Sequence, residues 1–333
     1  MSKKNTDKKP IIAIVAGGDS SEMVVSLKSA AGIYSFIDKN RYNCFIVIIK
    51  GEEWNVQTAE NKLTPIDKND FSFTQEGVKT TFDFAYITIH GTPGENGILQ
   101  GYFDLIKIPY STCNVLVSAL TFDKFMCNNF LKGFGIRVAD SILLRQGQHI
   151  ADADVVEKIG LPCFIKPNVG GSSFGTTKVK EVNQIQPAIE SAFAEGGEVL
   201  IEQFVEGNEF TCGMYKTKSK TVVLPVTEII SQNEFFDFGA KYNRESEEIT
   251  PARISAELTE RIQKLTSAIY DILGCNGIIR ADYIIHNGVI NFLEVNTTPG
   301  MTATSFIPQQ VQAAGLDIKD VMSDIIEDGL ING

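Results

Sequence analysis

The sequence predicts an α/β and α+β protein in which an open parallel α/β domain precedes mixed α+β units. Strand-like Ile11 to Ala16 leads through a glycine turn into helical spacing from Met23 to Ile37, and strand-like Asn43 to Ile49 follows. This alternation of strand and helix is typical of a parallel sheet. The 333 residues also exceed the length at which one hydrophobic core keeps growing, so two or three domains are expected.

The alternation continues more weakly through the rest of the first third. A strand is predicted at Phe82 to Ile89, a helix at Ile98 to Ile106 and a further strand at Ile108 to Ser111. No GxGxxG motif follows the first strand, so the dinucleotide fingerprint is absent from this part of the sequence.

The middle third predicts a smaller α+β unit. Its elements are a helix at Ala119 to Phe134, a strand at Leu161 to Pro167, a Gly/Ser loop at Asn168 to Gly175, a strand at Thr176 to Lys180, a helix at Gln184 to Ala194 and a strand at Glu198 to Val205. The Gly/Ser loop joins two strands and lacks GK[ST], so it differs from a Walker loop.

The last third predicts two strands, a long loop, a helix and a hairpin. The strands are Glu209 to Tyr215 and Thr221 to Ile230, and the helix is Ala256 to Leu273. Residues 231–253 show no clear period, and we expect a surface loop there. Loops of this length are usually functional lids or disordered segments.

Composition and charge limit the function classes. The net charge of −11 disfavours nucleic-acid binding. The apolar run after the basic N-terminal tail is too short for a signal core, and no run is long enough to span a membrane. The six cysteines form no CxxC pair and are expected to be reduced thiols, and three scattered histidines argue against a zinc site. We therefore expect a cytoplasmic enzyme.

Four polar residues, Arg280, Asp282, Glu294 and Asn296, occupy alternate positions on two apolar segments near the C-terminus. Alternate residues of a strand share a face. Asp, Glu and Asn supply oxygen ligands that Mg²⁺ accepts, and Arg can bind a phosphate. The pattern predicts a metal and phosphate site, with a half-exposed hairpin that has a polar face as the alternative.

The connection at Asn287-Gly288 decides whether this site can form. A regular hairpin with a two-residue turn would pair residue 282 with residue 293 and place Asp282 and Glu294 on opposite faces. A three-residue loop, 287–289, or an equivalent bulge would pair Asp282 with Glu294 and Arg280 with Asn296. We predict the longer loop or the bulge, because two opposed carboxylates repel unless a cation lies between them.

Several charged residues near strand ends are candidate nucleotide ligands. Lys166 ends an apolar strand beside the Gly/Ser loop, whose amides could bind phosphate. Glu202 ends another apolar strand and Glu209 follows the next turn, where carboxylates can accept from adenine or ribose. The alternatives are an edge-strand lysine and surface charge, and Lys124 alone would usually be a solvated helix lysine.

Together these segments resemble the D-alanine–D-alanine ligases of the ATP-grasp superfamily. The resemblance extends over most of the chain and is carried by residues 17–26, His90 to Gly101, Ser118 to Lys124, Phe164 to Ser173, Ile201 to Phe210, Ala240 to Tyr242 and the final hairpin through Thr302. It implies an N-terminal α/β domain, 1–113, followed by a two-domain ATP-grasp fold. The two domains are 114–204 and 205–333, and the latter carries the mobile loop 231–253.

The resemblance also implies ligands. Lys124, Lys166, Glu202 and Glu209 would bind ATP, and Lys241 would approach the γ-phosphate when the loop closes. Asp282, Glu294 and Asn296 would hold two Mg²⁺ ions, with Mn²⁺ as a substitute, and Glu294 would bridge the two. Arg280 would stabilise charge on the reacting groups.

The substrate positions follow from the same resemblance. Glu22 would bind the ammonium of the first D-alanine near His90, with Ser172 and Tyr242 as hydroxyl partners of Glu22. Gly300 would donate to an oxyanion and Ser305 would contact the carboxylate of the second D-alanine. Without the other motifs, Glu22 also fits a helix N-terminal residue and His90 a satisfied residue at a strand end.

The implied reaction joins two D-alanines through an acyl phosphate, for peptidoglycan precursors. A ligase that takes D-lactate or D-serine second is one alternative, although Lys241-Tyr242 favours an amine. A regulatory nucleotide-binding protein is another, although it would need fewer of these residues. The expected partners are D-alanine and ATP, without nucleic acid or membrane, and a homodimer is a family expectation.

Overall fold

The N-terminal elements are built around a strand that is buried along its whole length. A computed structural model describes residues 9–20, 22–59, 62–171, 175–231 and 246–332. In chain order the first elements are β1 Ile11–Gly17, α1 Met23–Phe36, β2 Asn43–Lys50, β3 Glu53–Ala59, β4 Lys62–Pro65, β5 Ser72–Gln75, β6 Val78–Thr81, β7 Phe84–Ile87 and α2 Ile98–Ile106.

The first sheet has the strand order β4-β3-β2-β1-β7. β1 is parallel to both β2 and β7, and Tyr110 continues the parallel pairing as a bridge to Ala85. This confirms the predicted parallel α/β core. The edge formed by β3 and β4 is antiparallel, and the sequence interpretation had no strands there.

Both faces of β1 are covered because alternate residues enter different cores. Ile12 and Ile14 pack with α1 and the C-terminal helix, whereas Ala13 and Val15 pack with residues of β7, α2 and the β5–β6 hairpin. A strand buried on both faces reads as a continuous apolar run, as β1 does.

The central elements form a four-stranded sheet with one helix-covered face. They are α3 Val115–Phe122, α4 Lys124–Lys132, β8 Ser141–Arg145, α5 Asp152–Lys158, β9 Cys163–Pro167, β10 Thr177–Val179, a 3₁₀ turn Val182–Gln184, α6 Ile185–Glu195 and β11 Glu198–Gln203. The strand order is β10-β9-β11-β8, and all the pairings are antiparallel. Ile165 and Ile201 pack under α6, so the other face of this sheet is directed away from that helix.

The C-terminal elements form a six-stranded sheet. They are β12 Asn208–Lys216, β13 Thr221–Val223, β14 Thr227–Ser231, β15 Ser246–Ile249, α7 Ala256–Leu273, β16 Ile278–His286, β17 Val289–Asn296, α8 Phe306–Ala313 and α9 Ile318–Asn332. The order β15-β14-β12-β16-β17 is antiparallel, and β13 pairs antiparallel with the end of β12. The buried residues Ala281 and Tyr283 belong to the core that includes α7 residues, so neighbouring positions 280 and 282 are on the other face.

The predicted loop 231–253 is partly wrong. Residues 232–245 lie outside the described residues, but Ser246–Ile249 forms a strand that pairs with β14. Its sequence, Ser-Glu-Glu-Ile, lacks the apolar alternation that would have indicated a strand.

Two expectations from composition can be compared with the fold. All six cysteines are free, and five of them are buried, which agrees with the expected thiols. Within the described ranges, no helix combines the length and apolar character needed to cross a membrane.

Candidate active site

The turn of the last hairpin contains two residues, not three. Asn287 and Gly288 both have positive φ, 50° and 76°, and His286 pairs with Val289 across them. Positive φ at both central residues is the signature of the type I′ turn that Asn-Gly favours. The predicted three-residue loop 287–289 is therefore wrong.

The equivalent bulge is present farther along the same hairpin. Tyr283 pairs with Phe292, but the next pair is Asp282 with Glu294, which leaves Leu293 as the extra residue. One extra residue reverses the facing of everything beyond it. Phe292 consequently remains in the apolar core while Glu294 shares a face with Asp282, as predicted.

A bidentate ion pair organises the polar face of this hairpin. The Nε and Nη2 atoms of Arg280 donate to the two carboxylate oxygens of Asp282 at 2.9 and 2.8 Å. Asn296 Nδ2 donates to Asp282 Oδ2 at 3.0 Å, and the Arg280 guanidinium lies 5.2 Å from the Phe306 ring centre. These contacts fix the fork of Arg280 in one orientation.

Nearby carboxylates raise the pKa of Arg280 more than burial lowers it. Burial lowers the pKa of the guanidinium, but Asp282, Glu294 and Glu209 raise it, so the net shift is upward. The register explains the presence of Glu209: it pairs with Ile284, two residues from Asp282, and therefore has the same facing. Three carboxylates thus surround one arginine, as expected where cations and phosphates bind.

A second ion pair lies on the face of the central sheet that is opposite α6. Lys166 Nζ contacts Glu202 Oε2 at 2.6 Å, and the Glu202 side chain is 5% exposed. Burial lowers the pKa of Lys166, but Glu202 and then Glu294 raise it to a net value above its ordinary one. The contribution of Glu294 indicates that the polar faces of the central and C-terminal sheets meet here. The inward ammonium predicted for Lys166 is therefore present, with Glu202 as its partner.

The Gly/Ser loop is attached to the start of α4. Lys124 Nζ donates to the Gly170 carbonyl at 2.6 Å, and Phe125 N donates to Asn168 Oδ1 at 2.9 Å. Asn168 is fully buried and also donates to Glu198 at 2.9 Å. Lys124 is thus a loop-binding residue here and not a solvated helix lysine.

Glu22 extends from the start of α1 toward that loop. A Cβ on Gly171 would lie 2.7 Å from Glu22 Oε2, so glycine allows the carboxylate to approach the loop backbone. Glu22 is also the residue before the first helical turn, but its side chain forms no capping hydrogen bond. The helix-terminal alternative therefore does not account for where the carboxylate points.

These groups surround a cavity of about 690 Å³ between the N-terminal, central and C-terminal elements. Eight of the sequence-predicted site residues line it: Glu22, His90, Lys124, Arg280, Glu294, Asn296, Gly300 and Ser305. Lys166, Glu202, Glu209 and Asp282 are not in its lining and hold the polar faces beside it.

His90 differs from a satisfied strand-end histidine. Its side chain is 9% exposed and lines the cavity, and Nε2 is buried without a hydrogen-bond partner among the described residues. A buried unpaired imidazole nitrogen costs free energy unless a ligand or water completes it. This favours a role for His90 in the cavity.

Glu95 lies within the segment His90 to Gly101 but was not among the predicted site residues. It accepts from Gly91 N at 2.7 Å and from Thr298 Oγ1 at 2.6 Å, and it lines the cavity. Burial raises its pKa, and His90, Thr298 and Gly91 oppose that shift. Glu95 thereby joins the loop that carries His90 to the loop that follows β17.

The loop after β17 presents Gly300 and Ser305 to the cavity. Ser305 Oγ accepts from Thr302 N at 3.1 Å and lies 2.8 Å from Thr302 Oγ1. A Cβ on Gly300 would lie 3.0 Å from Ser305 Oγ, so a larger residue would crowd that hydroxyl. Three selected residues, Ser172, Lys241 and Tyr242, lie outside the described residues.

Comparison with known proteins agrees with this architecture. A model described as the D-ala D-ala ligase N-terminus matches residues 11–113, and one described as the D-ala D-ala ligase C-terminus matches residues 130–327. A protein named D-alanine–D-alanine ligase from Phocaeicola vulgatus is 70% identical over 320 residues, covering 96% of this chain and 99% of the relative.

The chain belongs to the D-alanine–D-alanine ligase family.

Solved structures of related ligases share its fold. The VanG D-Ala:D-Ser ligase from Enterococcus faecalis aligns with a TM-score of 0.87 at 33% identity, covering 96% of this chain and 99% of that one. D-alanine–D-alanine ligase from Bacillus anthracis complexed with ATP aligns with a TM-score of 0.76 at 30% identity, covering 97% and 98%. The chain therefore has the ATP-grasp fold of this ligase family, as the sequence predicted.

Proposed function

We propose that this chain joins two D-alanine molecules in an ATP-dependent reaction that supplies a peptidoglycan precursor. The carrying observation is the arrangement of Arg280, Asp282, Glu294 and Asn296 on one sheet face, opposite Lys166. Relatives 57–70% identical over nearly the whole chain that are named D-alanine–D-alanine ligase support the same assignment.

The proposed chemistry has two steps. A carboxylate oxygen of the first D-alanine attacks the γ-phosphorus of ATP, ADP leaves, and an acyl phosphate forms. The amine of the second D-alanine then attacks the acyl carbon, its nitrogen loses a proton, and inorganic phosphate leaves. Both steps develop negative charge, which Lys166 and Arg280 would stabilise.

We place ATP between the central and C-terminal sheets. Lys124 and Lys166 would bind phosphates, and the carboxylates of Glu202 and Glu209 would accept from the adenine amino group or the ribose hydroxyls. Lys241 would reach the γ-phosphate from the segment before β15. The ion pair between Lys166 and Glu202, 2.6 Å long, supports this placement because it fixes the ammonium on the sheet face beside the cavity.

We propose that the sheet face with Asp282 and Glu294 holds two Mg²⁺ ions, with Mn²⁺ as a substitute. Asp282 and Glu294 would ligate through carboxylate oxygens, and Asn296, whose amide nitrogen donates to Asp282, would ligate through its amide oxygen. These are the hard oxygen donors that Mg²⁺ prefers. When bound, Mg²⁺ supplies charge neutralisation on the phosphates.

We assign the first D-alanine to the end of the cavity formed by Glu22 and His90. Glu22 would bind its ammonium, with Ser172 and Tyr242 as hydroxyl partners of that carboxylate. Ser305 would bind the carboxylate of the second D-alanine, and the Gly300 N–H would donate to the oxyanion. The proximity of Glu22 to Gly171 and of Ser305 to Gly300 supports these assignments.

The domain limits 1–113, 114–204 and 205–333 are part of the proposal. They are supported by the separate sheets and by a family-model boundary at residue 113. C-terminal α9 nevertheless packs on the N-terminal sheet, where Gly329 faces Phe84. We also propose a cytoplasmic location, as expected for an enzyme that uses ATP and keeps its thiols reduced. The proposed homodimer is an expectation from the family.

One assay tests the function. Phosphate release from MgATP is measured with D-alanine, with L-alanine, and with D-alanine plus D-lactate or D-serine, and the products are identified by mass. We expect D-alanyl-D-alanine and one phosphate for each dipeptide. Preferential formation of a D-lactate or D-serine product would replace the assignment by that alternative. The likeness to the D-Ala:D-Ser ligase motivates the comparison with D-serine.

A further inference from the structure

Glu248 is a carboxylate in the cavity wall that has no role in the function proposed above. It lies on β15 opposite Ile229, which pairs in turn with Glu209, and opposed residues share a face. Glu248 is therefore on the same sheet face as Glu209 and Arg280, and it lines the cavity together with Arg280 and Ser305.

A glutamine on α8 holds the Glu248 carboxylate. Gln309 Nε2 donates to Glu248 Oε2 at 2.7 Å and to the Thr304 carbonyl at 2.7 Å, so its amide is fixed between the two acceptors. Gln309 is four residues after Ser305, one helical turn away, and Gln309 N donates to Ser305 O at 3.2 Å. Gln309 thus connects the Glu248 carboxylate on β15 to the start of α8, where Ser305 lies.

The charge of Glu248 is only partly compensated within the cavity. Burial raises the pKa of Glu248, and Gln309 and Arg280 oppose that shift. A partly buried carboxylate is stable when a cation or hydrogen-bond donors compensate for lost hydration. An arriving ammonium would add such compensation.

The cavity must receive two amino acids and therefore two ammonium groups. Among the described residues, the carboxylates in its lining are Glu22, Glu95, Glu248 and Glu294. Glu294 belongs to the proposed metal site, Glu95 accepts from Gly91 and Thr298, and Glu22 is assigned to the first ammonium. Glu248 is the remaining carboxylate, and it lies on the side of Ser305.

We propose that Glu248 binds the ammonium of the second amino acid while Ser305 binds its carboxylate, so that the pair selects an amine over a hydroxy acid as nucleophile. This inference rests on the proposed ligase function. A 2-hydroxy acid would bring a hydroxyl in place of the ammonium and would leave the partly buried Glu248 charge with only Gln309 and Arg280 to compensate it. Sites built around one polar group reject the analogue that lacks its partner.

The test compares Glu248→Gln with Glu247→Gln. Glu247 is the exposed neighbour on the same strand and is not in the cavity lining, so its substitution removes the same charge outside the site. The separate KM values for the first and second D-alanine are measured, together with the ratio of D-alanyl-D-alanine to D-alanyl-D-lactate formed when both nucleophiles compete.

For Glu248→Gln we expect the KM of the second D-alanine to rise about 10- to 100-fold. The KM of the first should be unchanged, and the product ratio should shift toward D-lactate by a similar factor. Glu247→Gln should leave all three quantities unchanged. Gln309→Leu removes the hydrogen bond to Glu248 but leaves the carboxylate in place, so it should raise the KM of the second D-alanine by a smaller factor. Glu248→Asp keeps a carboxylate and should retain part of the selectivity that Glu248→Gln loses.

Equal losses with D-alanine and D-lactate would assign Glu248 a structural role and overturn the proposal, as would an unchanged second KM. These results differ from a failure of the ligase assignment itself. In that case the unsubstituted protein would release no phosphate in response to D-alanine.

Discussion

Asp282 lies directly opposite Glu294 although the turn between their strands would place Asp282 opposite Leu293. The bulge at Leu293 resolves this conflict between turn and site. Because the bulge reverses the facing of the strand, Phe292 fills the core and Glu294 faces the cavity. The arrangement brings two carboxylates together, and a cation between them would relieve their repulsion.

The first prediction concerns the proposed bridging carboxylate. Glu294→Gln keeps the size of the side chain but removes the charge that would bind metal, so turnover should fall by about 100-fold or more. The melting temperature should change by less than about 2 °C, because Glu294 faces the cavity and not the core. Steady-state rates over a range of Mg²⁺ concentrations and thermal unfolding measure the two effects.

Its matched control is Glu260→Gln. Glu260 is exposed on α7, which covers the opposite face of the sheet, and it pairs with Lys264. This variant should retain full turnover. Near-normal turnover of Glu294→Gln would instead show that Glu294 is not a metal ligand.

The second prediction concerns the buried pair of Lys166 and Glu202. Lys166→Met should abolish detectable ATP use. It should also lower the free energy of unfolding by about 3–5 kcal/mol, because it leaves the buried carboxylate of Glu202 without its cation. Adding Glu202→Gln should recover most of that stability without restoring activity. Denaturant unfolding and rates of phosphate release from ATP check both parts, and a double variant as unstable as the single one would contradict the pairing.

The third prediction is a pH dependence of stability set by Glu95. Burial raises its pKa above the ordinary 4.5. Between pH 4.5 and the raised value, the folded protein therefore binds more protons than the unfolded chain. The contribution of Glu95 is thus fully present below about pH 4.5 and is lost as pH rises through the raised value. Glu95→Gln should lack this decline.

The measurement is denaturant unfolding of the native sequence and of Glu95→Gln at pH values from about 4.5 to above the raised pKa of Glu95. The free energy of unfolding of the native sequence, relative to the variant, should fall with rising pH. A difference that increases with pH would show that hydrogen bonds from Gly91 and Thr298 outweigh burial at Glu95, and a constant difference would show that the two effects cancel; either result would contradict the prediction.

The fourth prediction contrasts two helical glycines. A Cβ on Gly32 in α1 would lie 2.3 Å from the backbone oxygen of Met301, next to Gly300, whereas a Cβ on Gly101 in α2 would meet its nearest neighbour, Val115, at 3.7 Å. Gly32→Ala should destabilise by about 1–3 kcal/mol and slow turnover by displacing the loop. Gly101→Ala should stabilise by up to about 1 kcal/mol with activity unchanged, which is the ordinary effect in a helix.

Thermal or denaturant unfolding and steady-state rates of both glycine variants test this contrast. If Gly32→Ala stabilised the protein as Gly101→Ala does, the close packing of α1 on the loop after β17 would be wrong.

Sequence patterns predicted the elements whose apolar period is strong. The buried run of β1 and the helix Ala256–Leu273 were predicted within a residue of their observed bounds. The strands Lys62–Pro65, Val78–Thr81 and Ser246–Ile249 were not predicted, because they are four residues long and lack a regular apolar alternation.

The site was predictable to the extent that its residues are local in sequence. The alternate spacing of Arg280, Asp282, Glu294 and Asn296 was sufficient to predict a shared face, but not to choose between a longer loop and a bulge. The contact of Glu248 with Gln309 joins residues 61 positions apart and depends on how β15 and α8 pack. No local pattern could have indicated it.

The most direct test of the central claim follows oxygen from D-alanine. The enzyme is supplied with MgATP and D-alanine carrying ¹⁸O in both carboxylate oxygens, and the phosphate and dipeptide are analysed by mass. Ligation through an acyl phosphate predicts one ¹⁸O in each phosphate released, with the other retained in the peptide carbonyl. Phosphate without ¹⁸O, or phosphate release that does not depend on D-alanine, would contradict the proposed reaction.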